Sequence, residues 1–387
     1  MKISIINQHT ENWGDEAAFL GFSSALKSLD IQINHIVVNS SHRPSQGYIL
    51  KSGAIVSPLR YNSLLDKLLA LLILKLQFLY PLFIISKKYR KLSKILACSD
   101  AVCVGPGGEN IGAYKDYFYL FSILMALKLR KKILFAGSSF NQSGDTSFDR
   151  ISLNLLSKSR VLSRERISRD YLLKNNVNSC LCSDNALYLK KFYDFGVKTS
   201  SLDVSSLTGS DPYTVFVPNC LWTWHPRFKD SLSKQYLVSL IDKVFESLSS
   251  HGRVIILPQT YPYPNHKEDF SPYEDRFDAL ILPDLPSLEQ INVIANSRAI
   301  VGMRYHTVVF AALANTKCFS IAYERKILGF NERFYGAKGL LDITTPSSYD
   351  YKFSLPSPED FPAPNSQLVD AEIANLYSIH SEFFQRI

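Results

Sequence analysis

Short apolar runs rich in β-branched residues alternate along this chain with longer segments of helical periodicity. In the first half, the apolar runs predict strands and the periodic segments predict helices. The predicted strands are Lys2 to Ile6, Ile31 to Val38, Ala101 to Val104 and Ile133 to Ala136, and the predicted helices are Glu16 to Leu29, Leu64 to Tyr80 and Tyr117 to Leu129. Such alternation predicts an α/β fold, with a parallel sheet covered by helices on both faces in the Rossmann-like manner.

A second alternating series begins after a segment that has no apolar period. Residues 199–212 are dense in Ser, Thr, Gly, Asp and Pro and are the predicted linker. The later predicted strands are Thr214 to Val217, Val254 to Leu257, Leu280 to Leu282, Ala299 to Gly302 and Cys318 to Ile321. A chain of 387 residues is long enough for two domains. We therefore predict an N-terminal Rossmann-like domain over 1–198 and a C-terminal one over 213–387, facing each other across a cleft that binds ligands.

Composition excludes several classes of protein. With 46% hydrophobic and 20% charged residues, the chain is typical of globular proteins and unlike disordered or collagen-like ones. The six cysteines mostly lie in apolar runs without a Cys-x-x-Cys pair, and the histidines lack His-x-x-x-His spacing. We expect neither a disulfide scaffold nor a metal site. The first residues lack the apolar region of a signal peptide, so we expect a cytoplasmic protein.

The net charge of +8 suggests an anionic partner, and its distribution matters more than its size. Basic residues concentrate at 87–94 and at 128–132. They are either solvated helix ends and strand starts, or they attract the chain to an anionic substrate or membrane surface. Nucleic acid is not expected as a partner, because no helix-turn-helix, finger or RNA-binding aromatic motif accompanies the charge.

The most apolar segment of the chain, residues 64–86, raises the question of a membrane. Its longest runs, 68–74 and 78–85, are separated by Lys75 and Gln77, so the segment is too interrupted for a transmembrane helix. An apolar helix followed by a basic cluster is typical of an interfacial helix on an anionic leaflet, here the inner face of the plasma membrane. A helix buried between domain layers explains the segment equally well.

Two glycine-containing loops follow predicted strands at their carboxyl ends, where open parallel sheets bind ligands. In the first loop, residues 12–17, Asn12 and Asp15 are candidate acceptor-binding or acid/base groups, although an acidic residue also stabilises the first turn of a helix. The second loop, residues 105–110, brings backbone close to a ligand or forms a tight structural turn. Its G-x-G-G spacing is not the dinucleotide fingerprint.

A third loop, residues 163–168, also ends a predicted strand, and Asp184 to Ala186 follows the next strand. Arg164 either points into the cleft or forms a surface salt bridge. Glu165 and Ser168 are expected to order the turn.

The fourth loop, residues 302–307, joins an apolar strand to a helix and is the most informative. Strand alternation places Arg304 and His306 on the same side. A guanidinium, an imidazole and the free N–H groups of a helix start together form a site for a compact dianion such as a phosphate or carboxylate.

Taken in order, these motifs resemble the polysaccharide pyruvyl transferase family. The matching elements are N-x-G-D-E-A at 12–17, the glycine loop at 105–110, S-R-E-x-x-S at 163–168, D-x-A at 184–186, L-P-S-L-E-Q-I at 285–291, G-M-R-Y-H-T at 302–307 and Y-E-R-K at 323–326. Arg-x-His is the strongest of them. Pro106 stands where the family more often has a glycine, and residues 342–387 match no part of its pattern.

The resemblance implies transfer of a pyruvyl group from phosphoenolpyruvate to two sugar hydroxyls, which gives a cyclic ketal on an exopolysaccharide, capsule or cell-wall polysaccharide. It implies phosphoenolpyruvate as co-substrate and no cofactor, and a saccharide acceptor, free or lipid-linked, on the N-terminal domain. The implied donor-binding residues are Arg304, His306 and Arg164. The first two lie on the C-terminal domain, the implied donor side, and Arg164 lies on the N-terminal domain. The implied acid/base residues are His306, Asp15 and Glu109, and the implied acceptor-binding residues are Asn12, Gly107, Gly108 and Asn110.

Two other functions remain open. A nucleotide-sugar glycosyltransferase of the same glycosyltransferase-B-like architecture is the first, because Glu324 and Glu332 have a spacing found in some such enzymes, where a carboxylate holds the ribose. A non-catalytic protein of cell-surface assembly that retains the fold is the second.

Overall fold

The computed structural model describes most of the chain. The described residues are 1–8, 13–38, 54–58, 64–77, 87–108, 111–112, 115–195, 206, 208–259, 279–283, 285–350 and 352–387. The chain forms two compact units: Met1–Glu11, Asp15–Leu189 and Glu372–Ile387 make the first, and Asn12–Gly14 with Lys190–Ala371 make the second. Most of the predicted linker 199–212 lies outside the described residues.

Each unit contains one parallel sheet. In chain order the strands are β1 Lys2–Gln8, β2 Gln32–Val38, β3 Ile55–Pro58, β4 Ala101–Val104, β5 Lys132–Ser138, β6 Arg160–Ser163, β7 Ser179–Leu181, β8 Tyr213–Val217, β9 Arg253–Ile256, β10 Leu280–Ile281, β11 Ala299–Gly302, β12 Cys318–Ala322 and β13 Leu340–Asp342. The first sheet has seven strands in the order β3-β2-β1-β4-β5-β6-β7, and the second has six in the order β10-β9-β8-β11-β12-β13. In each sheet the first strand in the chain, β1 or β8, lies in the interior, and later strands are added on both sides of it, as in Rossmann-like sheets.

Helices cover these sheets. In chain order they are α1 Trp13–Ser28, α2 Leu64–Lys75, α3 Lys87–Ala97, α4 Tyr117–Lys128, α5 Thr146–Leu156, α6 Arg166–Lys174, α7 Leu221–Trp224, α8 Ser231–Ser250, α9 Ser287–Ala295, α10 Tyr305–Leu313, α11 Arg325–Tyr335 and α12 Ser366–Gln385. The predicted helix Leu64 to Tyr80 is seen as α2, and residues 78–80 lie outside the described part. No helix among the described residues is long and apolar enough to cross a membrane.

Two apolar cores hold the first unit together, one on each face of its sheet. Helices α2 to α5 pack on one face, with α4 buried along nearly its whole length. Helices α1 and α12 pack on the other face, where Phe19 and Phe22 meet Leu376 and Phe384. These strands are covered on both sides, which explains why they are continuous apolar runs in the sequence.

The last helix departs from the predicted division of the chain. The predicted second domain, 213–387, included this segment, but residues from Glu372 onward belong to the first unit. The reason is apolar burial, because Leu376 and Phe384 fill the core beneath α1. A buried hydrogen bond of 2.8 Å from Ser183 to Glu372 fixes the point where the helix joins that unit.

Candidate functional site

In each sheet the strand order reverses at one point, the topological switch point, which is where ligands bind in open parallel sheets. In the first sheet this point lies between β1 and β4, whose carboxyl ends lead to residues 9–12, outside the described part of the chain, and to residues 105–108. In the second sheet it lies between β8 and β11, whose carboxyl ends lead to 218–225 and 303–306. Most of the predicted site residues therefore follow strands that flank a switch point.

At the first switch point, the structure brings Asp15 and Gly107 together. Gly107 has a φ of +83°, and a Cβ placed there would lie 2.9 Å from Oδ1 of Asp15. Asp15 itself is buried in the first turn of α1. Gly108 also has a positive φ, +67°. The close approach of loop and helix requires a residue without a side chain at Gly107.

Three further predicted residues of this region, Asn12, Glu109 and Asn110, lie outside the described residues. Their assignment as acceptor-binding or acid/base groups therefore stays a prediction. The same holds for the roles of Asp15, Gly107 and Gly108, whose positions are known.

Arg164 lies in a buried polar network on the first unit. Its Nη1 donates to Oδ2 of Asp184 at 2.9 Å, and its Nε donates to Oγ of Ser139 at 2.8 Å. The side chains of Arg164 and Asp184 are 1% and 0% exposed. A surface salt bridge was one of the two predicted alternatives, and the ion pair seen here is buried.

Glu165 and Ser168 order the turn around this arginine. Ser168 donates to Oε1 of Glu165 at 2.5 Å and accepts from the backbone N–H of Phe140 at 2.7 Å. Ser139 donates to Oε2 of Glu165 at 3.1 Å. The motif S-R-E-x-x-S is thus accounted for by contacts inside the unit, and donor binding by Arg164 stays a prediction.

The D-x-A motif joins the same network. Oδ1 of Asp184 accepts from the N–H of Ala186 at 2.9 Å while its Oδ2 holds Arg164. Asn185 donates to the carbonyl of Ala136 at 2.5 Å. A Cβ at Gly21 on α1 would collide with the carbonyl of Asn185, so the motif also fixes how closely α1 packs.

At the second switch point, Arg304 and His306 flank the start of α10. The strand β11 ends at Gly302, so the strand alternation from which their shared orientation was predicted does not extend to them. Arg304 is instead the N-terminal cap residue, with extended backbone (φ −117°, ψ 147°), and His306 lies in the first helical turn. Both residues are half-buried and lie at the positive end of the helix dipole.

Gln259 adds an amide to this helix start. It follows β9, is buried, and its Oε1 accepts a hydrogen bond of 2.9 Å from the hydroxyl of Thr307. Its Nε2 has no hydrogen-bond partner among the described residues. A Cβ at Gly302 would overlap the side chain of Thr307, so glycine at that position permits the contact. A buried amide N–H without a partner is costly unless a ligand accepts from it.

Asn219 repeats this arrangement at the end of β8. Its Oδ1 accepts from the indole N–H of Trp224 at 3.2 Å, and it is fully buried. Its Nδ2 also lacks a partner within the described part of the chain. Two amide donors thus lie at the carboxyl ends of strands that neighbour each other in the sheet.

A third group at this edge combines His225, Glu324 and Lys326. Oε2 of Glu324 lies 2.5 Å from the Lys326 ammonium, and Oε1 lies 3.7 Å from Nε2 of His225. The His225 Nδ1 accepts from the N–H of Arg227 at 3.3 Å, so the proton of a neutral ring is on Nε2, facing the carboxylate. Burial by itself raises the pKa of Glu324, but the Lys326 ammonium and the His225 ring outweigh it and lower the pKa to about 2.

Aromatic rings close off this group. Tyr323 is buried and meets the rings of Trp224 and His225 edge to face, with centroids 6.1 and 5.6 Å apart. The Arg227 guanidinium donates to the Tyr323 carbonyl at 2.6 Å. The loops after β8 and β12 are thereby fixed to each other.

Gly14 also belongs to the second unit. A Cβ at this position would overlap the imidazole of His306. The glycine of the N-x-G-D-E-A motif therefore lies against the histidine of the Arg-x-His motif. This close approach explains why no side chain is tolerated between them.

Sequence reasoning missed Asn219, His225 and Gln259. The available signal was their position, because each follows a predicted strand at its carboxyl end. Their importance depends on the strand order, since β9, β8 and β11 become neighbours only in the folded sheet. No group of three His, Cys, Asp or Glu side chains in the described part of the chain could hold a metal ion.

The second edge is suited to bind an anion in an orientation-dependent manner. It presents a guanidinium, an ammonium, the start of a nine-residue helix and two amide donors. Charge-assisted hydrogen bonds to such donors bind carboxylate and phosphate groups strongly. Titratable rings at His306 and His225 lie at the same edge.

Comparison with known protein families agrees with the motifs. A family model described as polysaccharide pyruvyl transferase matches residues 12–325, which is well over half of the chain. The chain belongs to the polysaccharide pyruvyl transferase family. The match includes the glycine loop, the Arg164 turn and the Arg304 to His306 motif, and it ends at Arg325. No curated protein matches the sequence closely enough to count as a relative.

Solved structures resemble the whole chain in fold. A UDP-GlcNAc 2-epimerase from Neisseria meningitidis bound to UDP-GlcNAc has a TM-score of 0.59 and 11% identity, and the match covers 100% of both chains. A putative UDP-N-acetylglucosamine 2-epimerase from Listeria monocytogenes has a TM-score of 0.59 and 10% identity over 99% of this chain and 97% of that one. A glycosyltransferase from Rickettsia africae has a TM-score of 0.51 and 11% identity over 98% and 91%. At these identities the likeness shows the fold alone, and the predicted fold of two Rossmann-like domains is confirmed.

Proposed function

We propose that this pyruvyl transferase moves the pyruvyl group of phosphoenolpyruvate to two hydroxyls of a saccharide and forms a cyclic ketal. The observation that carries the proposal is the placement of Arg304 and His306 at the start of α10, beside the switch point of the second sheet. Phosphoenolpyruvate has a carboxylate and a phosphate on adjacent atoms of a three-carbon unit. A donor of this kind needs several cationic or N–H groups held at one place, as this edge provides.

Arg304 is proposed to bind one anionic group in a forked contact, and the backbone N–H groups of the first turn of α10 to bind the other. The helix start and the guanidinium act together because an anion is favoured at the positive end of the dipole. Lys326 supplies a further positive charge, and Glu324 holds its ammonium in place. His306, in that same turn, is proposed to contact the phosphate that leaves.

The reaction requires two carbon–oxygen bonds to form and one to break. One saccharide hydroxyl adds to C2 of phosphoenolpyruvate while the methylene carbon C3 gains a proton. The second hydroxyl then displaces the phosphate from C2, which closes the ketal ring. Of the two hydroxyl protons, one balances the proton gained at C3 and the other leaves with the phosphate.

Acid and base groups are therefore needed near C2 and C3. His306 is proposed as the group beside the phosphate, and Asp15 and Glu109 as the groups that act on the saccharide hydroxyls. Asn12, Gly107, Gly108 and Asn110 are proposed to contact the acceptor. The buried position of Asp15 against Gly107 supports a fixed carboxylate at that loop.

Calorimetric titration tests the donor. Phosphoenolpyruvate should bind, inorganic phosphate and pyruvate should each bind more weakly because they carry only part of the donor, and uridine and guanosine sugar nucleotides should not compete. Binding of a sugar nucleotide with no binding of phosphoenolpyruvate would instead support a nucleotide-sugar glycosyltransferase. Glu324, the carboxylate suggested for a ribose contact in that alternative, is here held by Lys326 and faces His225.

Amide variants test the acid/base groups. Asp15→Asn and Glu109→Gln keep the shape of each side chain and remove only its ionisable function. Each should lower turnover strongly with little change in phosphoenolpyruvate affinity. Normal turnover at saturation together with weak donor binding would contradict the assignment.

A further inference from the structure

Exposed leucines concentrate on one helix of the first unit. Twelve large apolar side chains are exposed among the described residues, and four of them are Leu68, Leu69, Leu72 and Leu76, at 54%, 37%, 44% and 40% exposure. The other eight are scattered over the rest of the described chain. We call these four residues the leucine stripe. At about 3.6 residues per turn they fall within roughly 100° of the helix circumference.

The leucine stripe is a second apolar face on a helix that already has a core face. Helix α2 buries Ala70, Ile73 and Leu74 against the core that contains α4. Leu76 follows the helix directly, and its N–H bonds to the carbonyl of Leu72, so the turn continues through it. Single exposed leucines need no explanation, but a row of them does.

Helix α3 packs on the same core as α2 and carries a basic face. Tyr89 and Leu92 are buried in the same core, and the Tyr89 ring lies 5.2 Å from that of Phe121 on α4. Arg90, Lys91 and Lys94 are exposed on the opposite side of α3. Because α2 and α3 both pack on α4, the leucine stripe and this basic face belong to one layer of the unit.

The second basic cluster of the sequence, residues 128–132, differs because two of its lysines form hydrogen bonds within the fold. The ammonium of Lys131 donates to the carbonyls of Ala97 and Ser99, at 2.8 and 2.5 Å. Lys132 bonds to the carbonyl of Arg386. These lysines are used to join elements of the fold, whereas Lys91 and Lys94 form no ion pair within the described residues.

We propose that the leucine stripe and the basic face of α3 bind the surface of a bilayer that contains anionic lipids. The apolar side chains would enter the boundary between headgroups and acyl chains, and the basic side chains would contact the headgroups. Helix α2 has 12 residues, about 18 Å at 1.5 Å per residue, so it lies along the surface and does not span a hydrocarbon core of about 30 Å. Aliphatic side chains beside lysine and arginine, without aromatic anchors in the stripe, favour lipid over a protein partner.

Vesicle sedimentation with the full chain tests this surface. Phosphatidylcholine vesicles should bind the protein weakly, and vesicles that also contain phosphatidylglycerol should bind it well. Binding to the anionic vesicles should weaken as salt is raised, because exposed charges are screened. Equal binding to both vesicle types, or binding that salt does not affect, would overturn the proposed role of the basic face.

Two sets of variants separate the two components. Arg90→Glu/Lys91→Glu/Lys94→Glu should lower partitioning more than about 100-fold, since each basic residue near an anionic surface contributes about 1 kcal/mol. Leu68→Ser/Leu72→Ser should lower binding to both vesicle types. The matched controls are Arg150→Glu/Lys158→Glu/Lys174→Glu, which makes the same charge change on exposed residues of α5 to α6, and Leu173→Ser/Leu232→Ser.

The controls should bind vesicles like the wild type, and all variants should keep the wild-type melting temperature because the changed side chains are exposed. If the charge-reversed control loses binding as fully as the α3 variant, the effect is one of net charge and the surface is wrongly assigned. If the leucine variant changes only the sedimentation coefficient of the free protein and not its binding to vesicles, the stripe joins two copies of this chain, and the proposal is overturned.

Discussion

The carboxyl ends of the two sheets carry similar residues and use them differently. At the first edge, Arg164 is enclosed, with its charge matched by Asp184 and its Nε bonded to Ser139. At the second edge, Arg304 caps a helix and stays half-buried, and the neighbouring amides of Gln259 and Asn219 keep N–H groups without partners among the described residues.

The difference teaches how to separate structural from binding arginines in such a fold. Both arginines lie between a strand and a helix, and both belong to motifs of the family. The surroundings differ: Asp184 and Ser139 bond to the enclosed side chain of Arg164, whereas Arg304 is half-buried at a helix start, at the sheet edge that also holds the amides of Gln259 and Asn219. A complete internal network stabilises the fold, whereas a half-buried guanidinium at a helix start is suited to bind an anionic ligand.

The largest effect should come from breaking the enclosed network. Arg164→Met removes the guanidinium and leaves the buried carboxylate of Asp184 unpaired, which costs about 3–5 kcal/mol. The melting temperature should fall by roughly 6–20 °C, at about 2–4 °C per kcal/mol for a unit of this size. The control is Arg160→Met on the same strand, whose pair with Glu382 is 3.9 Å apart and exposed, so that its loss costs less than about 1 kcal/mol.

A different outcome would move Arg164 to the donor site. If Arg164→Met keeps the wild-type melting temperature and loses phosphoenolpyruvate binding, the comparison between the edges fails. Thermal unfolding and calorimetric titration on the same preparation distinguish the two results.

The second edge should respond in the opposite way. Arg304→Lys keeps the charge and loses the forked geometry, and His306→Gln removes the titratable ring. Each should weaken donor binding or transition-state stabilisation about 10- to 150-fold, corresponding to hydrogen bonds to charged groups of roughly 1.5–3 kcal/mol. The melting temperature should change little. Arg298→Lys, just before the other end of β11, is the matched control, because its guanidinium bonds to the His251 carbonyl and lies near Glu359.

Unchanged kinetics with a large fall in melting temperature would remove Arg304 and His306 from the donor site. The two edges would then both be structural, and the proposed donor site would lose its main support. Family membership would stand, since it rests on the match over residues 12–325.

A smaller effect at the first switch point would sharpen the comparison. Gly107→Ala places a side chain on backbone with φ +83° and within 2.9 Å of Asp15. Gly144→Ala is the control, since Gly144 has φ +76° and nothing within 4 Å of the added Cβ. In both variants the free energy of unfolding should fall by about 1–2 kcal/mol, because an alanine is strained in left-handed backbone. Only Gly107→Ala should also lower turnover, because it displaces Asp15. If the two variants lose equal stability and Gly107→Ala keeps normal turnover, Asp15 has no catalytic role.

Much of the fold was predictable because buried parallel strands are continuous apolar runs. The strand Ala299 to Gly302 was predicted with the bounds observed for β11, and Ala101 to Val104 with those of β4. Since the carboxyl ends of such strands are fixed by the same pattern, the loops that hold Asp15, Gly107 and Arg304 were found as well.

The rest depends on contacts between distant parts of the sequence. The partner of Arg164 lies 20 residues away, and no local pattern indicates that pairing. Gln259 and His225 become site residues only through the order of strands in the second sheet. The return of the last helix to the first unit depends on Leu376 finding a core formed by residues from the beginning of the chain.

The smallest predicted effect concerns a buried polar group that lacks what Arg164 has. His380 on α12 is 1% exposed, its ring lies 5.1 Å from that of Phe22, and neither ring nitrogen has a hydrogen-bond partner among the described residues. Burial lowers the pKa of His380 from 6.5 to about 4, so the folded protein holds the ring neutral where the unfolded chain takes up a proton. The free energy of unfolding should therefore fall as pH decreases from 6.5 toward 4, by about 1 kcal/mol at pH 5.5.

Urea unfolding at pH 7 and pH 5.5 measures this difference, and the window avoids Glu324, whose stabilising charge is lost only as pH falls from 4.5 toward 2. His380→Phe should reduce the difference, because it removes the buried ring that the unfolded chain protonates. An equal pH dependence in wild type and His380→Phe would show that the ring is protonated without cost, and that a buried polar group in this unit needs no network of the kind that surrounds Arg164.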